Sequence, residues 1–94
     1  MKEITKTSII LKKEKEFISS KMGSELMAMD MDSGNYIHFN EIGSLIWEYL
    51  DNFNTITDIA EKLVQEYDIS LEDCEQAILK LIKHLKSLDL ISIK

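Results

Sequence analysis

Leu26-Met27-Ala28-Met29-Asp30-Met31-Asp32-Ser33-Gly34-Asn35-Tyr36-Ile37-His38-Phe39-Asn40-Glu41-Ile42-Gly43-Ser44-Leu45-Ile46-Trp47 is the stretch on which the fold turns. Its first part alternates with the period of a half-buried strand, Asp32-Ser33-Gly34 breaks it with turn formers, and from Asn40 the apolar residues change to helical spacing. Upstream, Gly23-Ser24 suits a two-residue turn that sets Ile18 opposite Met29 and Ser20 opposite Met27. A three-residue Asp32-Ser33-Gly34 loop with Gly34 left-handed sets Met31 opposite Asn35, Met29 opposite Ile37 and Met27 opposite Phe39. Both registers put Ile18, Met27, Met29, Met31, Ile37 and Phe39 on one face and Phe17, Ser19, Lys21, Ala28, Asp30, Tyr36 and His38 on the other. The methionine stripe reads as core.

Three helices follow to cover that face. Ile42, Leu45, Ile46, Tyr49 and Leu50 recur at helical spacing after an Asn40 cap. Thr55-Ile56-Thr57-Asp58 and Ser70-Leu71-Glu72-Asp73 each have capping-box spacing with an acid three residues on. The stripe after Thr55 is Ile56, Ile59, Ala60, Leu63, Val64 and Tyr67, and the one after Ser70 runs from Leu71 to Leu88. Trp47 falls off its helix's main stripe and is either a packing residue or an interface anchor. Leu90-Ile91-Ser92-Ile93 alternates as a short closing strand, while Ser8-Ile9-Ile10-Leu11 fits either period. The fold class is α+β: a three-stranded antiparallel sheet, then three helices.

At 94 residues, 45% apolar and 30% charged, the chain fits one domain over 1–94, with its core at about 16–93 and 1–15 extended or flexible. No apolar run reaches the roughly 20 residues that cross a bilayer, and the start has no secretion-signal pattern, so the expectation is a cytoplasmic protein off the membrane. The lone Cys74 suits a reducing compartment. Residues 40–69 hold seven acids against Lys62 alone, which places the whole net charge of −6 centrally and argues against nucleic acid as a partner.

With sequential hairpins, the strand Asn35, Tyr36, Ile37, His38, Phe39 is a sheet edge with unpaired backbone groups, lacking the Pro, Lys or inward charge that defends edges. An extended chain could add to it. If the third helix packs alongside, Cys74, Ala77, Ile78 and Leu81 line one wall of a groove, and Lys80, Lys83 and His84 give it a basic rim suited to an acidic peptide. The edge also permits a monomer or an edge-paired dimer. Catalysis has no comparable support. Cys74 and His84 are ten residues apart on one helix, about 15 Å along its axis, too far for a nucleophile and its base. Two His and one Cys at unrelated spacings give no metal signature, and no Gly-rich loop opens a helix to hold phosphate.

The quoted stretch resembles the PqqD-like family, small peptide-recognition domains of ribosomal peptide natural-product pathways. The resemblance lies in Met29-Asp30, Gly34, Tyr36, Phe39-Asn40, Gly43 and Ile46-Trp47, with Thr55, Ile59-Ala60, Leu63, Tyr67, Leu81-Ile82, Leu85 and Leu90-Ile91 following in order. It covers about residues 16–93; Phe39 replaces the usual Leu, and Asp89 sits where Gly is common. It implies a winged-helix-like domain without catalysis or cofactor of its own. It also implies that the leader region of a precursor peptide adds as a strand beside Asn35 to Phe39 and packs on Cys74, Ala77, Ile78 and Leu81. A chain of this kind looks like a stand-alone member that delivers a lasso-peptide precursor to a separate leader protease or other modifying enzyme. The alternatives are a winged-helix DNA-binding regulator, opposed by the charge distribution, and an adaptor for a folded protein.

Overall fold

The computed structural model describes residues 3–94; Met1 and Lys2, the first two residues of the expected domain, lie outside the described residues. In chain order the elements are β1 (Ile10–Lys12), β2 (Phe17–Met22), β3 (Glu25–Asp30), β4 (Tyr36–Phe39), α1 (Glu41–Tyr49), α2 (Ile56–Val64), α3 (Leu71–Ser87) and β5 (Ile91–Ile93). Each helix starts where its capping residue dictates. The side chains of Asn40, Thr55 and Ser70 accept from the backbone N–H groups of Gly43, Asp58 and Asp73, each satisfying one donor that the first turn leaves orphaned. The helix α3 ends at Leu88, and Asp89 takes the left-handed conformation (φ 61°) that follows many helices and is usually filled by glycine. Its carboxylate meets the Lys13 ammonium, which holds it below the usual carboxylate range.

The strands β2, β3 and β4 form one antiparallel sheet in sequential order. The first hairpin has the expected register, with Ile18 opposite Met29 and Ser20 opposite Met27. The second does not: Met29 lies opposite Tyr36, Met27 opposite His38 and Leu26 opposite Phe39, one residue away from the three-residue-loop register. The turn is wider because Asp30 and Asn35 close it. The Asp30 N–H donates to the Asn35 carbonyl at 2.9 Å, its carbonyl accepts from the Gly34 N–H at 2.7 Å, and its carboxylate accepts from the Asp32 N–H at 2.9 Å. A one-residue slip exchanges faces. Leu26, Ala28 and Asp30 therefore share the buried face with Ile37 and Phe39, whereas Ile18, Met27, Met29, Tyr36 and His38 share the outer face. The methionine stripe is not core: Met27 and Met29 are half-buried and Met31 is exposed.

A second, two-stranded sheet pairs β1 with β5, Ile10 opposite Ile93, so the core reaches upstream of residue 16 to a fully buried Ile10. The three helices pack with Leu26, Ala28, Ile37 and Phe39 around one apolar core. Trp47 is buried in it, stacked on Phe39 (centroids 5.4 Å), edge-on to Phe17 (5.7 Å) and covered by the Lys12 ammonium at 4.0 Å, which settles its role as packing. Two phenol–carboxylate hydrogen bonds tie α1 to α2 and its C-terminal extension: Tyr49 to Glu66 at 2.8 Å and Tyr67 to Glu41 at 2.7 Å. Burial and the Glu66 carboxylate push the Tyr49 phenol up to about 12.

Candidate functional site

In an antiparallel ladder, a residue's N–H and C=O point to the same side, and that side alternates along the strand. The Asp30 N–H points at Asn35 across to β4, and the Met31 N–H points the other way, at the Glu16 carbonyl. It follows that Leu26, Ala28 and Asp30 bond toward β4, that Ile37 and Phe39 return those bonds, and that Asn35 takes part through its carbonyl alone. Tyr36 and His38 are left with their N–H and C=O groups facing the free edge. Of the five edge residues expected from sequence, these two carry the unpaired backbone, while Ile37 and Phe39 serve through buried side chains (8% and 2% exposed). Asn35 belongs to the turn, its N–H taken by the Ser33 hydroxyl at 3.2 Å.

Where this strand ends, at Asn40, begins a groove of about 490 Å³, lined by Asn40, Ile42, Gly43, Ile46, Ile69, Ala77, Lys80, Leu81 and His84. Its walls are the start of α1 and the outer part of α3, which packs mainly on α2 and touches α1 and β5. Of the expected helix residues, Ala77, Leu81, Lys80 and His84 line the groove. Cys74 and Ile78 are buried (2% and 0% exposed) and line a smaller cavity behind it, and Lys83 lines neither. Burial, with Glu75 adding to it, pushes the Cys74 thiol above its ordinary value, the opposite of an activated nucleophile.

The α1 side of the groove was missed from sequence. Its signals were present: Asn40 is the helix cap, and Gly43 stands where a Cβ would come 3.1 Å from the Asn40 Oδ1. A residue with a side chain there would crowd both the cap and the groove wall. Ile69, 38% exposed in the α2–α3 loop, carried no periodic signal. On the outer face, His38 Nε2 lies 2.5 Å from Glu25 Oε1, so the ring is engaged across the sheet. No group of three or more His, Cys, Asp or Glu among the described residues could hold a metal ion.

The free edge of β4 and the apolar, basic-rimmed groove that begins at Asn40 are the two features of this fold suited to an extended chain. The family model described as coenzyme PQQ synthesis protein D (PqqD) matches residues 25–91, and the chain belongs to that family. Among solved structures it is similar to "TbiB1 in Complex with the TbiA(beta) Leader Peptide", with TM-score 0.77, 18% identity, and coverage of 87% of this chain and 94% of that one. It is also similar to "Lasso peptide synthetase B1 complexed with the leader peptide", with TM-score 0.74, 24% identity, and coverage of 88% and 96%. At these identities the likeness is one of fold. No curated protein matches the chain by sequence.

Proposed function

We propose that this protein captures the leader segment of a ribosomally synthesised precursor peptide and presents it to a modifying enzyme. The leader protease of a lasso-peptide pathway is the foremost candidate for that enzyme. The observation that carries the reading is the outward Tyr36 and His38 backbone groups on the strand that leads directly into Asn40, where the lining of the groove along α3 begins. Membership of the PqqD family supports it, as do the leader peptides in the two similar structures. The backbone ladder gives affinity and register without chemistry of its own, and the groove selects side chains. A leader residue paired with Tyr36 or His38 turns its side chain to the outer face; its neighbours turn theirs toward α1 and α3. Lys80 and His84 favour a leader that is acidic at that end.

No helix among the described residues is long and apolar enough to cross a membrane. We place the encounter in the cytoplasm, with the protein acting as a monomer when loaded, because an edge-paired dimer would occupy the same backbone groups. The test is a titration of the protein into a labelled synthetic leader from the short reading frame beside its gene, with the matching core peptide as control. A dissociation constant near or below about 1 μM for the leader alone is expected. A folded Leu81→Glu variant should lose tenfold or more by charging the groove wall. Saturation by the core peptide instead of the leader, or none by either, would sink the reading.

A further inference from the structure

We propose that the flank of α3 opposite the groove at Asn40 is a docking surface for a basic, apolar-faced helix of a second protein. A second groove, of about 610 Å³, opens there among Leu71, Glu75 and Leu79 of α3, Ile56 of α2 and Lys6 of the N-terminal segment, with Glu72 also in its lining. At about 100° per residue, Leu71, Glu75 and Leu79 point roughly 160° away from Ala77, Leu81 and His84, with the buried stripe of Cys74, Ile78 and Ile82 between them. The described linings of the two grooves have no residue in common, so both can be filled at once. The far wall is fixed. The Lys6 carbonyl accepts from the Thr57 N–H and from the Thr57 hydroxyl, each at 3.1 Å, and the Ile10 N–H donates to the Asn54 carbonyl at 2.7 Å, which pins this segment along the start of α2.

Charge selects the occupant. Among the described residues the groove at Asn40 carries Lys80 and His84 and no carboxylate, whereas this one carries Glu72 and Glu75 against Lys6 alone. An acidic chain or a nucleic acid is repelled here, and a basic one meets both carboxylates. The apolar floor is graded: Ile56 is buried, Leu79 is partly so, and Leu71 is 44% exposed, a large side chain in the first turn of α3 that the core leaves uncovered. The described lining takes no residue from a β-strand, so a guest finds no backbone ladder and must satisfy its own N–H and C=O groups, as a helix does. Leu71 and Leu79 are eight residues apart, about 12 Å along the axis, and apolar residues seven apart on a guest helix, about 10.5 Å, match them side by side. Lysines flanking that stripe then reach Glu72 and Glu75.

The test titrates the full chain, isotope-labelled for NMR, with a synthetic peptide of Leu and Lys at helical spacing, about four turns long, and with a Leu and Glu peptide of the same pattern as control. The basic peptide should shift the amides of Lys6, Ile56, Leu71, Glu75 and Leu79, and the acidic one should not bind. Glu75→Lys should weaken the basic peptide tenfold or more, whereas Glu61→Lys, the same charge change outside the groove, should leave its affinity within about twofold. The double variant Glu72→Gln, Glu75→Gln, which keeps the side-chain shapes, should weaken it severalfold and decides the matter if Glu75→Lys does not fold. Saturation with the leader should leave the basic peptide bound. No binding, shifts centred on Ala77, Leu81 and His84, displacement by the leader, dimerisation of the protein across this face, or an equal loss in Glu61→Lys overturns the proposal. A leader that does not bind removes the leader-capture reading alone, and the shifts and variants still decide this surface.

Discussion

The two hairpins of the main sheet are made of similar residues and turn on a left-handed glycine each, Gly23 at φ 66° and Gly34 at φ 76°, yet they obey different rules. In the first, Gly23-Ser24 joins the Met22–Glu25 pair, and turn chemistry alone sets the register. In the second, four residues from Met31 to Gly34 are enclosed, because the strand-end Asp30 acts as part of the turn. Its carboxylate is only 4% exposed and accepts from the Lys15 ammonium at 3.2 Å as well as from Asp32. A buried acceptor with two donors outranks the local preference of Asp-Ser-Gly for a shorter loop. The lesson is that the last residue of a strand can count as turn, and a one-residue error in that count turns the sheet over.

The sharpest break between the two registers compares faces. Leu26→Ala removes a side chain that is 6% exposed in the core and should cost about 2–5 kcal/mol, and Ala28→Glu should not fold. Met31→Ala, at a position 44% exposed, should shift stability by less than about 0.5 kcal/mol. Urea denaturation of the three variants decides the matter, since the three-residue-loop register requires the large loss at Met31 and the small one at Leu26.

Next in size is the removal of Asp30 itself. Asp30→Ala leaves the Asp32 N–H and the Lys15 ammonium without their acceptor and should lower the melting temperature by roughly 10 °C. Asp30→Asn keeps an acceptor for Asp32 and should lose less. The pH dependence gives the same comparison a sign. Burial alone would raise this carboxyl, but the Asp32 N–H and Lys15 outweigh it and hold it below the usual range. A depressed carboxylate stabilises the fold above its unfolded pKa of about 3.9, and that contribution disappears as pH falls through the folded value. Acid titrations of melting temperature should therefore be shallower below about pH 4 in Asp30→Asn than in wild type. Equal slopes would remove Asp30 from the account of the second turn.

The same contrast explains what was legible in the sequence. Helix starts were, because Asn40, Thr55 and Ser70 act on N–H groups three residues away. The first hairpin was, for the same reason of locality. The second register was not, since Asp30 is fixed by Lys15, fifteen residues upstream, and that pairing has no local pattern. At the site, the edge strand and the Ala77, Lys80, Leu81, His84 stripe follow from strand order and helix period. Which edge residues carry free backbone depends on the closing pair of the turn, and Ile69 on a loop path, so neither could be read in advance.

The finest distinction sets the two glycines against each other. Neither would bring an added Cβ within 4 Å of another atom, so alanine at either position meets only the strain of a left-handed backbone, about 1–2 kcal/mol. The stability losses of Gly23→Ala and Gly34→Ala should accordingly agree within about 0.5 kcal/mol. Their effects on leader binding should not. The Gly34 N–H closes the turn on the Asp30 carbonyl at 2.7 Å, immediately before the strand whose Tyr36 and His38 face the free edge. Strain there is relieved by moving that edge, whereas strain at Gly23 is relieved at the far side of the sheet, between β2 and β3. A severalfold weaker affinity in Gly34→Ala, with Gly23→Ala unchanged, is the expected result of the leader titration. Equal weakening in both would mean that β4 receives its geometry from the whole sheet and not from the turn that precedes it.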